Sequence, residues 1–279
     1  MRWVLFYLLF SAVLPANAVT VVDNAGYQVT LDSPPMRIVS FAPHITEILF
    51  ELGVGDRVVA TVDYSDHPEA AKKIPRLGSA FSVSVESVVA LEPDIVFAWA
   101  TGGNQKAVAQ IRALGIPVYT NEAGTLSGVA DSIQRIGLLV GAADQGKNLA
   151  SEFKLGLIDI AAAKPLERKR IFFQISDAQL YTVNHEHLLG QGLALCHADN
   201  VFGSLPIPVP IVSFESVVAA DPQVIVISVP DPDYVSPWEA RWQSLGWQGR
   251  IRRIEASLIT RPSFRMLEGL KILCQTVNG

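Results

Sequence analysis

Two stretches of the sequence repeat one pattern, and this repeat constrains the fold more than any other feature. Residues 84–99 read SVESVVALEPDIVFAW, and residues 213–229 read SFESVVAADPQVIVISV. Each copy places a serine two residues before a glutamate, then a short helical run, an acid–proline pair and an apolar run typical of a buried strand. We therefore expect two similar bodies, each with one helix–strand unit at the same place.

Short apolar runs rich in β-branched residues alternate with helical segments along most of the chain. The predicted strands cover residues 37–41, 58–64, 94–99, 117–120, 171–175, 180–183 and 224–229. The predicted helices cover residues 46–52, 85–91, 104–114, 186–195, 217–220 and 262–277. This alternation is typical of parallel sheets covered on both faces. We predict an α/β fold of two lobes with central, mostly parallel sheets.

A long helical stretch separates the two bodies. Residues 127–163 carry apolar residues at helical spacing, interrupted only near Gly141. A helix of roughly 20 residues from Ala143 would be about 30 Å long, which suits a rigid connection between two bodies. We therefore expect an N-terminal lobe at 19–126, a connecting helical segment at 127–164, a C-terminal lobe at 165–279 and a ligand cleft between the lobes.

The N-terminus predicts the compartment. Arg2 precedes an apolar stretch over residues 3–14 and the triplet Ala16-Asn17-Ala18, the pattern of a secretory signal peptide. About 12 apolar residues are too few for a membrane span, which needs roughly 20. We expect a cleaved signal peptide at 1–18 and a periplasmic protein. The net charge of −5 and the absence of a basic run argue against nucleic-acid binding.

The two cysteines, Cys196 and Cys274, both lie in the part expected to be exported. An oxidising compartment favours one disulfide between them. Two buried free thiols are the alternative, since cysteines flanked by apolar residues are often core residues. A zinc site is poorly supported, because there is no C-x-x-C motif or second cysteine pair.

Glu86 and Glu215 occupy matching places, each in the first turn of a short predicted helix with Ser84 or Ser213 at the N-cap. A carboxylate there is stabilised by unpaired backbone N–H groups and the helix dipole, by about 0.3 to 1 kcal/mol. This explains the residue type. It does not explain why one acidic helix start recurs in each lobe, so contact with a partner is the second interpretation.

Several segments together resemble the periplasmic cobalamin-binding proteins of ABC importers. They are RIVSFAPHITE at 37–47, YSDHP at 64–68, the stretch 85–99, GGN at 102–104, both glutamates and the placement of the cysteines. The resemblance covers nearly the whole chain after residue 18. It implies two lobes joined by a rigid helix, in a superfamily that also holds siderophore and haem receptors. It also implies a monomeric binding protein rather than an enzyme, with no cofactor of its own.

The resemblance assigns a role to the repeated glutamates. In that family two lobe-tip glutamates bind arginines on the two halves of the permease, which implies docking to an ABC importer permease dimer for Glu86 and Glu215. Exposed ion pairs contribute roughly 0 to 1 kcal/mol each. We therefore expect the two acids to align the protein on the permease and to speed their association, and to contribute little to the affinity.

The ligand is expected between the lobes, outside the carboxyl ends of the strands. Four aromatic residues, whose matching positions in the family are aromatic, and one cation are predicted to contact it: Tyr64, Phe81, Trp99, Tyr181 and Arg261. Phe81 and Val209 stand where the best-known pattern has tryptophans, and Ser257 replaces an acid near Arg261. The resemblance implies cobalamin or a related corrinoid as the transported ligand.

Other ligands stay open at this point. Haem is the first alternative, because Tyr64 or His67 offers an axial ligand. A ferric siderophore, usually anionic, would call for several inward basic residues, and only Arg261 and Arg265 are candidates. A zinc or manganese importer is a further alternative with five histidines to draw on, although no His-rich loop is present and we expect no metal site. The histidines are His44, His67, His185, His187 and His197.

Overall fold

The computed structural model of the chain describes residues 18–163 and 167–279. The predicted leader therefore lies outside the described residues, apart from residue 18. No helix in the described part combines the length and apolar character that a membrane crossing requires. The described part begins with an antiparallel hairpin of β1 (Val19–Val22) and β2 (Gln28–Leu31).

The N-terminal lobe is built on a parallel sheet with the order β4-β3-β5-β6. Its strands are almost entirely buried because helices cover both faces, which explains their continuous apolar runs. The strands are β3 (Ile38–Ser40), β4 (Val58–Thr61), β5 (Ile95–Trp99) and β6 (Val118–Asn121). The helices are α1 (Pro43–Glu51), α2 (Val85–Val89) and α3 (Gln105–Ala113).

Two packed helices follow, α4 (Leu126–Leu139) and α5 (Ala143–Ala162). The predicted interruption near Gly141 is present, and Gly141 has a φ of +75° that closes α4 and redirects the chain. The helices cross closely where Gly137 meets Gly146, since a Cβ on Gly137 would lie 2.9 Å from the Cα of Gly146. The 20-residue α5 leads into the second lobe, as expected.

The C-terminal lobe repeats the architecture with a parallel sheet of order β10-β9-β7-β8. The strands are β7 (Lys169–Gln174), β8 (Ala198–Asn200), β9 (Val224–Val229) and β10 (Ile251–Glu255). The helices are α6 (Leu188–Leu195), α7 (Phe214–Ala220), α8 (Pro237–Gln243), α9 (Ala256–Thr260) and α10 (Met266–Asn278). A disulfide joins Cys196, just after α6, to Cys274 in α10, and this confirms the predicted pairing.

The predicted strand at 180–183 does not form. Tyr181 makes a single antiparallel bridge with Ile211, and nearby N–H groups donate to the carbonyls of Pro208 and Pro210. The opposite segment, 206–210, has proline at every second position and lacks the N–H donors a regular ladder needs. The prediction of a sheet strand at 180–183 is therefore wrong, and the segment forms one isolated bridge instead.

The largest apolar cluster runs through both lobes. It includes Ile45 of α1, Phe153 of α5, Phe173 of β7 and Leu270 of α10, all completely buried. Each lobe also has a smaller cluster on the outer side of its sheet. The lobes thus share one core through α5 and α10. This shared core fixes the position of the two cleft-facing surfaces relative to each other.

Candidate functional site

A cavity of about 730 Å³ lies between the lobes, and residues of both lobes line it. The N-terminal lobe contributes side chains that follow β3, β4 and β5, at the carboxyl edge of its sheet. The C-terminal lobe contributes the segment from Glu255 to Arg265, which follows β10. Ligands of open α/β sheets bind at these strand ends, so this cavity is the candidate site.

Tyr64 presents its ring to the cavity from the loop after β4. Its φ of +64° lies in the left-handed region, which a bulky residue adopts only at a cost in free energy. The side chain is 78% exposed, so packing of the ring does not compensate for this strain. Such strain collects at functional positions, which agrees with the prediction that Tyr64 binds ligand.

Trp99, the last residue of β5, forms the second aromatic wall of the cavity. Its Nε1 donates a hydrogen bond to Glu122 Oε2 at 3.0 Å. The indole lies directly on Gly102, where a Cβ would come within 2.0 Å of the ring atom Cε3. Any larger residue at Gly102 would clash with the indole, so this glycine of the GGN run allows the ring to lie here. Trp99 remains 39% exposed.

The charged floor of the cavity is an ion network between the lobes. Arg261 donates to Glu47 Oε1 at 3.0 Å and to Asp66 Oδ1 at 2.6 Å, and Arg265 donates to the same Glu47 oxygen at 2.9 Å. The hydroxyl of Ser263 donates to Glu47 Oε2 at 2.5 Å. Glu47 is 1% exposed. One buried carboxylate of α1 thus holds three side chains of the other lobe.

Electrostatics explain why Asp66 and Arg261 stay ionised in this network. Burial alone would raise the pKa of Asp66, but the hydrogen bond and the charge of Arg261 outweigh burial and lower that pKa. Burial would likewise lower the pKa of Arg261, whereas its hydrogen bonds with Asp66 and Glu47 raise that pKa. Two guanidinium groups face two carboxylates here, so the floor of the cavity carries no excess charge.

Two histidines line the same cavity, and both are uncharged at neutral pH. Burial lowers the pKa of His44 to about 3, and the charge of Arg261 adds to the effect. Burial also lowers the pKa of His67, with Arg265 acting in the same direction. In the described residues, no three His, Cys, Asp or Glu side chains gather in a way that could hold a metal ion.

The structure brings only part of the predicted ligand set together. Tyr64, Trp99 and Arg261 line the cavity. Phe81 lies in the loop before α2 with its ring mostly exposed, and Tyr181 is half-buried beside Ile211. Neither residue is part of this cavity wall, and their contact with ligand stays a prediction.

Sequence reasoning did not assign Glu47 or Asp66 to the site, and it named His44 only among the histidines that could bind zinc or manganese. A signal for Glu47 was present, because it stands in the run ITEILF, where an acid interrupts an otherwise apolar helix face. An acid in such a place is buried and needs a partner. Its partners lie more than 200 residues away in the chain, so the sequence alone does not identify them.

The predicted docking glutamates lie on exposed helix starts. Glu86 is in the first turn of α2, where Ser84 accepts a hydrogen bond from the Ser87 N–H at 3.2 Å. Glu215 is in the first turn of α7, capped in the same way by Ser213. Backbone N–H groups, followed by the capping hydroxyls, lower the pKa of both glutamates. Each lobe therefore presents one ionised carboxylate.

Comparison with known proteins supports the two-lobe fold and the family. Residues 38–235 match the family described as periplasmic binding protein. The vitamin B12-binding protein of Vibrio cholerae serotype O1 is 31% identical over 248 residues, with 86% of this chain and 88% of that protein covered. The vitamin B12-binding protein of Pectobacterium carotovorum is also 31% identical, over 75% of this chain and 76% of that protein.

Solved structures agree with this assignment. The periplasmic vitamin B12 binding protein of Vibrio cholerae superposes with a TM-score of 0.78 at 30% identity, covering 88% of this chain and 97% of that one. The periplasmic haem-binding protein RhuT from Roseiflexus sp. RS-1 reaches 0.77 at 23% identity, over 86% and 97%, and so shares the fold. The chain therefore belongs to the periplasmic binding protein family.

Proposed function

We propose that this protein captures a corrinoid, with cobalamin as its main ligand, and delivers it to an ABC importer permease. The observation that carries the proposal is the composition of the cavity between the lobes. Aromatic rings of Tyr64 and Trp99 form its walls, and the arginines of its floor are already paired with Glu47 and Asp66. Such a site favours a large, flat and weakly charged ligand.

The pairing of the arginines argues against anionic ligands. An anionic siderophore would meet arginines whose charges Glu47 and Asp66 already balance, so Arg261 and Arg265 offer it little net attraction. A corrin instead offers broad apolar faces to aromatic walls and amide groups around its edge. Burial of flat apolar area at roughly 25 cal/mol per Å² supports tight binding without a matching protein charge.

Similar proteins support the choice of ligand. The two relatives at 31% identity are both named vitamin B12-binding proteins. Their similarity extends over most of this chain, so it includes both sides of the cleft. Phe81 and Tyr181 belong to the proposed ligand set as residues that a bound corrinoid larger than the present cavity would reach.

Delivery is inferred from the matched acids Glu86 and Glu215, which the family resemblance assigns to the two lobe tips. We infer that Glu86 and Glu215 form one salt bridge each with the two halves of a permease dimer in the inner membrane. The signal peptide at 1–18, a periplasmic location and a monomeric state are parts of the same proposal. The ligand leaves chemically unchanged, so the protein acts as a receptor and not as an enzyme.

Haem is the second candidate. Tyr64 projects an exposed phenol into the cavity, and His67 lines it as a neutral imidazole. Either group is an ordinary axial ligand of haem iron. The balanced charges of the cavity floor argue against haem, because its two propionates would compete with Glu47 and Asp66 for the arginines.

The test is a calorimetric titration of purified mature protein with cyanocobalamin, haem, a ferric siderophore and zinc. We expect micromolar or tighter binding of cyanocobalamin, weakened about 5- to 30-fold by Tyr64→Ala and by Trp99→Ala, since each ring loses roughly 1 to 2 kcal/mol of contact. Tyr27→Ala, which removes an exposed tyrosine outside the cavity, is the matched control. No corrinoid binding, or binding indifferent to both rings, would refute the proposal.

A further inference from the structure

His44 is a buried polar side chain in the wall of the cavity, and one of its ring nitrogens lacks a hydrogen-bond partner among residues 18–163 and 167–279. It is the second residue of α1 and only 5% exposed, yet it lines the cavity between the lobes. Its Nε2 has no hydrogen-bond partner in the described part of the chain. Buried polar atoms are rarely left without a partner, and each exception calls for an explanation.

The chemistry of the ring is that of a neutral imidazole. Burial, reinforced by Arg261, holds the pKa of His44 far below neutrality. The ring therefore carries one N–H donor and one nitrogen lone pair at pH 7. Arg261, whose charge acts on the ring, and Asp66, which lines the same cavity, are paired with each other, and no hydrogen bond joins either of them to His44.

The ring of His44 lies against the aromatic wall. Its centroid is 6.0 Å from that of Trp99, and the two planes meet at 84°. Trp99 is held by its hydrogen bond to Glu122 and is partly exposed to the cavity. A ligand that packs on the indole therefore lies close to the imidazole.

We propose that His44 is a further ligand-recognition residue, whose free ring nitrogen hydrogen-bonds a polar group on the edge of the bound ligand. This inference rests on the proposed function, and the edge group of a corrinoid is a carboxamide. A carboxamide both donates and accepts, so either tautomer of the imidazole finds a partner. A site built around such a bond discriminates against ligands that lack the group, because the buried nitrogen then stays unpaired.

The inference has a distinctive consequence for stability. An unsatisfied nitrogen destabilises the folded protein, and a ligand that satisfies it recovers that loss as affinity. Replacement of the imidazole by an apolar ring should therefore move two measurements in opposite directions. If His44 only supported Trp99, its replacement would instead lower both the stability and the affinity.

The experiment compares His44→Phe and His44→Leu with the wild-type protein by thermal unfolding and by calorimetric titration with cyanocobalamin. We expect the unfolding midpoint to rise by about 2 °C, and the dissociation constant to rise roughly tenfold. Tyr119→Phe is the matched control. It removes another buried and unpartnered polar atom of the same lobe, outside the cavity, and should leave affinity unchanged.

The outcomes separate this inference from the proposed function. Failure of the wild-type protein to bind cyanocobalamin overturns both. Wild-type binding combined with His44 variants within twofold of its affinity overturns the role of His44 alone. A change in the visible spectrum of the bound corrinoid on His44 replacement would also overturn it, because that change indicates coordination of the cobalt rather than a bond at the ring edge.

Discussion

The two lobes share one strand order but contribute different chemistry to the cleft. In each sheet the lobe's first strand lies between its second and third, and the fourth pairs with the third. In each lobe the helix that carries the tip glutamate precedes the third strand. At the cleft, however, the N-terminal lobe provides the rings of Tyr64 and Trp99, whereas the C-terminal lobe provides Arg261 and Arg265.

The difference separates two kinds of recognition. The features that recur, one capped glutamate per lobe, suit a partner with two equivalent halves. The features that do not recur surround the ligand, which has no such symmetry. Even the tips differ in their settings: Arg241 stacks on Phe214 at 4.4 Å beside Glu215, while Glu86 shares a surface groove with Lys106.

The largest expected effect tests whether the tips are equivalent. Glu86→Arg combined with Glu215→Arg should abolish cobalamin uptake, because both contacts with the permease become repulsive. Ligand affinity should stay near wild type, since neither residue lines the cavity. The measurement is uptake of labelled cobalamin by cells that depend on this protein.

Glu69→Arg combined with Glu268→Arg is the control, because it reverses two exposed acids that the proposal does not assign to docking. Uptake that survives the double reversal at the tips would disprove the docking role. The single reversals sharpen the comparison: equal losses support equivalent tips, and a loss confined to one lobe contradicts them.

The disulfide belongs to the C-terminal lobe alone, since the chain has no other cysteine. Cys196→Ser combined with Cys274→Ser opens a loop that spans 78 residues. The free energy of unfolding should fall by up to about 4.5 kcal/mol on the chain-entropy account. Denaturant titration of the variant against the oxidised wild type measures this loss. A loss under 1 kcal/mol would show that α10 is held by packing alone.

The buried carboxylate of Glu47 links the lobes, and its removal leaves Arg265 without a carboxylate partner and Arg261 with Asp66 alone. We expect Glu47→Ala to lower the free energy of unfolding by about 3 kcal/mol or more. Glu69→Ala, at an exposed i,i+3 pair with Lys72, should change it by less than about 1 kcal/mol. Equal effects of the two substitutions would contradict an energetic link between the lobes.

The smallest expected effect concerns pH. Glu51 ends α1 and accepts the Phe264 N–H of the other lobe at 3.2 Å. Burial raises its pKa to about 8, with the charge of Glu47 adding to the effect. The folded protein therefore keeps a proton that the unfolded chain has released above its ordinary pKa. This contribution to stability is complete at low pH and is lost as pH rises towards 8.

Glu51→Gln should remove that pH dependence. Relative to the wild type, the free energy of unfolding of Glu51→Gln should rise by up to about 3 kcal/mol between pH 5 and 8, because the wild type loses the stability of its bound proton over that range. Chemical denaturation at several pH values measures the difference, with Glu268→Gln as an exposed control for the lost charge. Parallel pH profiles for wild type and Glu51→Gln would count against a protonated Glu51 between the lobes.

Much of the fold was predictable because its signals are local. β5 and β9 are continuous apolar runs, and the serine caps precede their helices in both lobes. β8 and β10 were missed because they are short and contain polar or charged residues, as in IRRIE. The predicted domain boundaries depend on such local signals too, and they stay a prediction.

The candidate site was only partly predictable, for a physical reason. Tyr64 and Trp99 stand at strand ends, where a general rule places ligand-contacting residues. The network of Glu47 with Arg261 and Arg265 depends on contacts between distant parts of the chain. The proposed role of His44 depends on the lack of a hydrogen-bond partner for its Nε2 among the described residues. Periodicity and spacing carry neither kind of information.

The apolar core that passes through both lobes limits how this receptor can be rebuilt. Excision of either lobe would expose the buried faces of α5 and α10 to water, and would strand Glu47 or its arginines on separate fragments. A chimera that grafts one lobe onto a different receptor must therefore carry matching residues at this contact between the lobes. Exchange of single loops at the cleft rim leaves the contact unchanged and is the safer route to a new ligand preference.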